Sequence, residues 1–276
     1  MRSLLLGSAL FITVVLSAHA QGNKTTVNLL LKPTKNMDST KMHIEIWSDV
    51  MCPFCYIGKR KFETALAQFK HKERLHIEWK SFQLSPDMKT DTTINAYQSL
   101  AKHKGVSVDE AKDMTNYVTE IASKVGLKFN FDKAITANSF NAHRLGHYAK
   151  TFNKQNEVEE KLFSAYFVEG KNVDDIATLV AIGVSVGLDA TALQAMLASD
   201  IYTNEVRQDI YEAQQVGVRG VPFFALNKKY AISGAQESSV ILSTLEKAFD
   251  EWQKQQVSAP LKVVEGAVCI PNGQCK

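Results

Sequence analysis

The sequence predicts an α/β fold interrupted by an all-helical insertion, and three observations carry that expectation. A strand, a helix and a second strand follow one another between residues 43 and 82. The next hundred-odd residues carry apolar positions at helical spacing. β-Character then returns near Val221 and gives way to a final amphipathic helix.

His43-Ile44-Glu45-Ile46-Trp47 alternates and is rich in strand formers, so it opens the fold as a strand. Tyr56, Phe62, Leu66 and Phe69 then recur at roughly helical spacing among lysines and arginines. Leu75-His76-Ile77-Glu78-Trp79-Lys80-Ser81-Phe82 alternates strictly and reads as a half-buried second strand, ended by Ser85-Pro86-Asp87. That order calls for parallel pairing with a right-handed crossover. Ser107-Val108-Asp109-Glu110 is a capping box that opens a helix running towards Gly126. Residues 139–152, 156–168, 174–186 and 190–197 read as further amphipathic helices whose apolar faces need one another. A polar helix from about Tyr202 to Val216 precedes the strand Val221–Leu226. Asn227-Lys228-Lys229 is a turn into Tyr230-Ala231-Ile232-Ser233, and a helix from Ser238 to about Gln255 closes the order. The division expected is a discontinuous α/β domain, 42–88 and 202–256, around a helical insertion, 89–201.

The two ends have a different character. Arg2, the apolar run Leu4 to Leu16 and Ala18-His19-Ala20 form the three parts of an export signal, residues 1–20. An uncleaved anchor is the alternative, but a spanning helix needs about twenty apolar residues. The protein is therefore expected in the periplasm or outside the cell, without stable membrane insertion after cleavage. Residues 21–41 read as a polar linker, and 257–276 as a tail carrying Cys269 and Cys275. Removing the signal takes away Arg2 and lowers the net charge from +3 to +2. With no basic cluster interleaved with aromatics, nucleic acid is not expected as a partner.

The chemistry concentrates in Cys52-Pro53-Phe54-Cys55, at the junction of the first strand and its helix. Two thiols two residues apart can close into a disulfide and reopen. The free N–H groups and dipole of the helix start favour negative charge on the first sulfur. Pro53 costs no hydrogen bond there and presets φ. A structural zinc site is one alternative, but it wants two further ligands. Cys269 and Cys275 lie more than two hundred residues away in a poor metal-knuckle spacing. A purely structural disulfide is the other alternative, and its place at a helix start would be unusual. Redox exchange is the expectation. Val221-Pro222 bears on it too: proline cannot donate to a central ladder. Either Pro222 starts an edge strand through a trans bond, or the bond is cis and turns the Val221 backbone towards the cysteines. Its place after Gly217-Val218-Arg219-Gly220, in a chain with an upstream C-x-x-C, supports the second.

Together these segments resemble the thioredoxin fold, specifically the DsbA family of thiol–disulfide oxidoreductases, in which a helical domain interrupts that fold. Ser48-Asp49-Val50-Met51 before the cysteines, Phe82-Gln83-Leu84-Ser85-Pro86-Asp87-Met88, Asn138 and Ala142-His143-Arg144-Leu145 are similar to its FrnE-like branch. The resemblance implies Cys52 as nucleophile, Cys55 as resolving cysteine and Pro222 as a cis-proline. Pro53, Phe54 and the Val221 backbone would meet substrate. It implies no metal or cofactor; the partners would be proteins with thiols or disulfides and a redox-recycling protein.

Two departures qualify it. Phe54 stands where the best-known members have a histidine, so a less oxidising disulfide is expected. Cys269 and Cys275 are separated by five residues, where relatives carry four, and form either a second redox pair or a staple. Asp49 could tune the thiols or cap the following loop. His143 and Arg144 are expected to be structural. Two rival readings remain. One is a glutathione-dependent isomerase or kappa-type transferase of the same superfamily, which uses serine at the Cys52 position. The other is a non-catalytic binding module.

Overall fold

The computed structural model describes residues 40–257. The signal, most of the linker, and Cys269 and Cys275 lie outside the described residues. Strand β1 (Met42–Ser48) leads into helix α1 (Pro53–Gln68), and a single 3-10 turn returns the chain to β2 (Leu75–Ser81). β1 and β2 pair in parallel from Met42 opposite Leu75 to Ser48 opposite Ser81. After a long excursion the chain returns through α8 (Thr203–Gln215) to β5 (Phe223–Leu226) and β6 (Tyr230–Ser233), and ends with α9 (Ser238–Val257). The sheet order is β2-β1-β5-β6, with β5 antiparallel to β1 and β6 antiparallel to β5. Asn227 and Lys228 both adopt positive φ, which matches the tight β5–β6 turn to the sheet twist.

Alternation along the strands sorts the two faces. Ile44, Ile46, Phe224, Leu226 and Ile232 pack on Phe62 of α1, on Phe69 just after it and on Leu245, Phe249 and Trp252 of α9. Trp47 faces the other way and packs with Ala213 and Val218 under α8, its indole N–H donating to the Asp209 carbonyl (3.0 Å).

The excursion holds α2 (Ala96–Lys104), α3 (Val108–Ser123), α4 (Phe140–Lys150), α5 (Gln155–Ser164), α6 (Ile176–Ser185) and α7 (Ala190–Leu197). A single π-turn, Ala165–Glu169, extends α5. The Ser107–Glu110 capping box is formed, and a second one, Asn95 with Gln98, opens α2. One expectation needs correction: the excursion is not wholly helical. β3 (Asp91–Asn95) and β4 (Ile135–Thr136) form a small antiparallel ladder, bridged at Asp91–Thr136 and Asn95–Ile135. Thr92, Thr93 and Ile94 are β-branched and suit a strand, but a two-residue partner shows no alternation to read.

The insertion's core does not stop at the insertion. Leu145, Val158, Leu162, Phe163 and Phe167 form one cluster with Val50, Cys52, Cys55, Tyr56 and Ile57. The start of α1 is thus packed into the helices, and its second half into the sheet. Stacking of Tyr56 on Phe163 (4.9 Å) and its hydrogen bond to Glu160 (2.6 Å) tie α1 to α5.

Candidate active site

β1 ends at Ser48, and a turn closed by the Cys52 N–H on the Asp49 carbonyl (2.9 Å) aims the chain into α1. Cys52 is the N-cap, in extended conformation, and Pro53 is the first helical residue. The Cys55 N–H donates to the Cys52 carbonyl (3.0 Å), which places both sulfurs in the first turn. Both are free thiols in the structure. Cys52 is 5% exposed and Cys55 fully buried, so an attacking sulfur reaches the pair through Cys52. Burial, together with the Cys52 sulfur, pushes the Cys55 thiol well above its ordinary value. The Ser48 hydroxyl and the Asp49 N–H act in the opposite sense.

The Val221–Pro222 bond is cis. The Val221 carbonyl accepts from the Cys52 thiol at 3.5 Å, across 169 residues of sequence. Two contacts fix the loop there. The Gly234 N–H donates to the Pro222 carbonyl (2.8 Å). Gly58 of α1 lets the proline ring approach so closely that an added methyl would stand 2.8 Å from its Cγ. Phe54, between the two cysteines, is 37% exposed, and Leu84, whose N–H reaches Asp49, is exposed as well.

Asp49 lies beneath this rim. Its carboxylate accepts from the Met51 N–H (3.1 Å) and the Leu84 N–H (2.8 Å), joining the cysteine loop to the segment after β2. Burial would raise its carboxyl, but His143 and those N–H groups hold it below the usual carboxylate range. His143 Nε2 stands 3.8 Å from Asp49 Oδ1, beyond hydrogen-bond reach. Burial disfavours the imidazolium; Asp49, Glu159 and the Phe82 carbonyl lift it above its ordinary value. Burial also pushes Glu159 up to about 7, with His143 and Lys59 pulling the other way. Arg144, by contrast, is structural: its guanidinium donates to the carbonyls of Met196 (2.8 Å), Leu197 (3.3 Å) and Ile201 (2.9 Å), around the end of α7.

Cys52, Pro53, Cys55, Val221, Pro222 and Asp49 therefore meet at one point, with Phe54 at its edge. Glu159 was not singled out by the sequence, and Ser48 entered only as part of the Ser48–Met51 motif. For Glu159 a signal existed: it is a charge on the apolar stripe of Val158, Leu162 and Phe163. Among the described residues no group of three metal-ligating side chains occurs.

The DSBA-like thioredoxin domain matches residues 43–246. A probable DsbA oxidoreductase from Streptomyces coelicolor is 34% identical and covers 85% of this chain and 98% of its own, with a TM-score of 0.73. The uncharacterized protein YwbO of Bacillus subtilis strain 168 is 29% identical over 221 residues, 78% of this chain and 99% of its own. The cytosolic disulfide reductase DsbM from Pseudomonas aeruginosa, 14% identical with a TM-score of 0.52 over 79% of this chain and all of its own, shares the fold. The chain belongs to the DSBA-like thioredoxin-domain family of thiol–disulfide oxidoreductases.

Proposed function

We propose that this protein exchanges disulfides with substrate proteins through Cys52 and Cys55, as an oxidase or general oxidoreductase rather than an isomerase, outside the cytosol. The observation that carries the reading is the asymmetry of the pair: Cys52 lies against the Val221 carbonyl and keeps 5% exposure, and Cys55 is sealed beneath it. As oxidant, a substrate thiolate attacks Cys52 Sγ, and the electron pair of the Cys52–Cys55 bond leaves on Cys55. A second substrate thiolate then attacks the substrate sulfur of the mixed disulfide. The substrate disulfide forms, and Cys52 leaves as thiolate. The dithiol is reoxidised by a recycling protein.

Val221 beside Pro222 offers backbone for strand-like pairing with a substrate segment. Pro53, Phe54 and Leu84 give apolar contact around it. Residues 1–20 support export, and Cys269 with Cys275 would be a second redox pair that passes electrons on or a staple. The presence of both Cys52 and Cys55 opposes the serine-based glutathione branch.

The test is oxidative refolding of a reduced, denatured multi-disulfide protein. Cys52→Ser is expected to fall to the uncatalysed rate; Cys55→Ser, with no disulfide to donate, should lose oxidase turnover and, presented with an oxidised substrate, accumulate the mixed disulfide. Full activity in Cys52→Ser sinks the reading. Cys269→Ser separates the roles of the tail: wild-type turnover makes that pair a staple. A mature N-terminus near Gln21 in the extracytoplasmic fraction would support export.

A further inference from the structure

We propose that Asn138 is a positioning residue for protein substrates: its amide clamps segment 84–88 into a lip that offers Leu84 to an apolar stretch of an unfolded client chain. The inference rests on the reading of Cys52 and Cys55 as the exchange site and adds a specificity element to it.

The starting observation is a loop exposed at its tip and fastened at both ends. Leu84 is 48% exposed, and Pro86 and Asp87 are exposed after it. At the near end the Phe82 N–H donates to the Ser48 carbonyl (3.0 Å) and the Leu84 N–H to Asp49 Oδ2 (2.8 Å). At the far end Asn138 Nδ2 donates to the Met88 carbonyl (2.6 Å) and reaches the Pro86 carbonyl at 3.3 Å. A turn from the Met88 N–H to the Ser85 carbonyl (3.1 Å) closes the span between them.

Asn138 is itself fixed. Its Oδ1 accepts from the Phe140 N–H at the start of α4 (2.8 Å) and from Gln83 Nε2 (3.1 Å). Its main-chain N–H donates to Thr90 Oγ1 (2.9 Å), just ahead of β3. The β3–β4 ladder brings those two residues together, because Asp91 pairs with Thr136. One side chain thus ties the loop after β2 to the ladder and to α4.

The lip shares its root with the exchange site. One Asp49 oxygen holds the Met51 N–H, next to Cys52, and the other holds the Leu84 N–H. Phe82 at the base of the lip and Val221 of the cis-proline loop pack against the same cluster of Trp47, Ala213 and Val218. An exposed leucine alone is ordinary surface. A leucine whose backbone is fixed in advance gives apolar contact at little ordering cost. A small thiol reagent has no apolar stretch to lay against it, whereas an unfolded chain does.

Asn138→Asp in the full chain tests this. Aspartate keeps the acceptor for Phe140 and Gln83 but sets an oxygen against the Pro86 and Met88 carbonyls. Oxidative refolding of a reduced, denatured multi-disulfide protein, with glutathione disulfide as final oxidant, gives kcat and KM. Reduction of the Cys52–Cys55 disulfide by dithiothreitol gives a rate without a client. KM for the protein is expected to rise roughly 3- to 10-fold, the worth of about one hydrogen bond. With uniform binding lost, kcat and the dithiothreitol rate stay within about twofold of wild type. Leu84→Ser should raise KM by a similar factor, and adding Asn138→Asp to it should raise KM no further. An unchanged KM in Asn138→Asp overturns the proposal alone, as do fully additive increases, since Asn138 would then not act through Leu84. Equal losses with dithiothreitol and with the protein also overturn it and make Asn138 a fastening of the fold. Wild type that exchanges with neither dithiothreitol nor the protein sinks the reading of the cysteines and the proposal with it.

Discussion

His147 and His143 lie one turn apart on α4, and each faces a buried aspartate, yet the two pairs are built differently. His147 Nε2 stands 3.0 Å from Asp209 and 3.1 Å from Ser81 Oγ. Asp209 also accepts the Ser81 N–H (2.9 Å) and pairs with Lys80, which reaches Glu212 at 2.9 Å. Burial would raise the Asp209 carboxyl, but His147 and Lys80 hold it down. Every charge there has a partner, and the cluster bolts α8 and α4 to β2. The Asp49–His143 pair leaves a gap of 3.8 Å and an unpartnered Nε2, with a raised carboxyl, Glu159, behind it. The first arrangement is a fastening. The second borders the only thiols among the described residues, and its looseness sets it apart from a joint.

Three substitutions probe that contrast. The largest effect is expected for Asp209→Ala, which leaves Lys80 buried with one carboxylate fewer. It should cost about 4 kcal/mol in urea unfolding, while exchange per folded molecule stays at the wild-type rate. A comparable loss of turnover would mean that both pairs serve the chemistry. Next comes Glu159→Gln. The folded chain keeps a proton on Glu159 up to about pH 7, whereas the free side chain loses it near 4.5. Stability from this group therefore falls as pH rises through that window, on the order of 3 kcal/mol in all. His143 adds in the same sense: its raised value gives stability that is full below its ordinary value and lost above the folded one. The variant should flatten the pH–stability profile, and an unaltered slope between pH 4.5 and 7 would contradict the assignment. The smallest effect on stability belongs to Asp49→Ala, about 2 kcal/mol for two N–H groups left unpaired. Here turnover should fall about tenfold, because Met51 and Leu84 lose the carboxylate that aligns them. Wild-type turnover would return Asp49 to the class of loop caps.

The sequence made the frame legible wherever a local pattern carries a tertiary fact. Alternation in β1 and β2 states which face is buried, the Ser107–Glu110 pair states where a helix begins, and C-x-x-C names its chemistry. What stayed hidden was set by neighbours distant in the chain. Arg144 is expected to be structural, but which carbonyls it holds, those around the end of α7, shows only in the fold. α8 read as a polar helix, and nothing local distinguishes Asp209, buried against Lys80, from the exposed Glu205 on the same helix. The β3–β4 ladder escaped because its second strand is two residues long. That Ser48 Oγ is buried without a partner, while Ser81 opposite it bonds His147, shows only in the fold.

The separation of Cys52 from Val221 has a consequence for the order in which the protein is made. The two residues are 169 positions apart, so at about 5–20 residues per second a ribosome finishes Val221 about 10–30 s after Cys52. Through that interval β5 does not exist, α5 arrives late, and both thiols are open to whatever surrounds the growing chain. A thiol–disulfide oxidoreductase thus spends its own synthesis as a potential client, with Cys52 and Cys55 shielded only when nearly the last strand is in place.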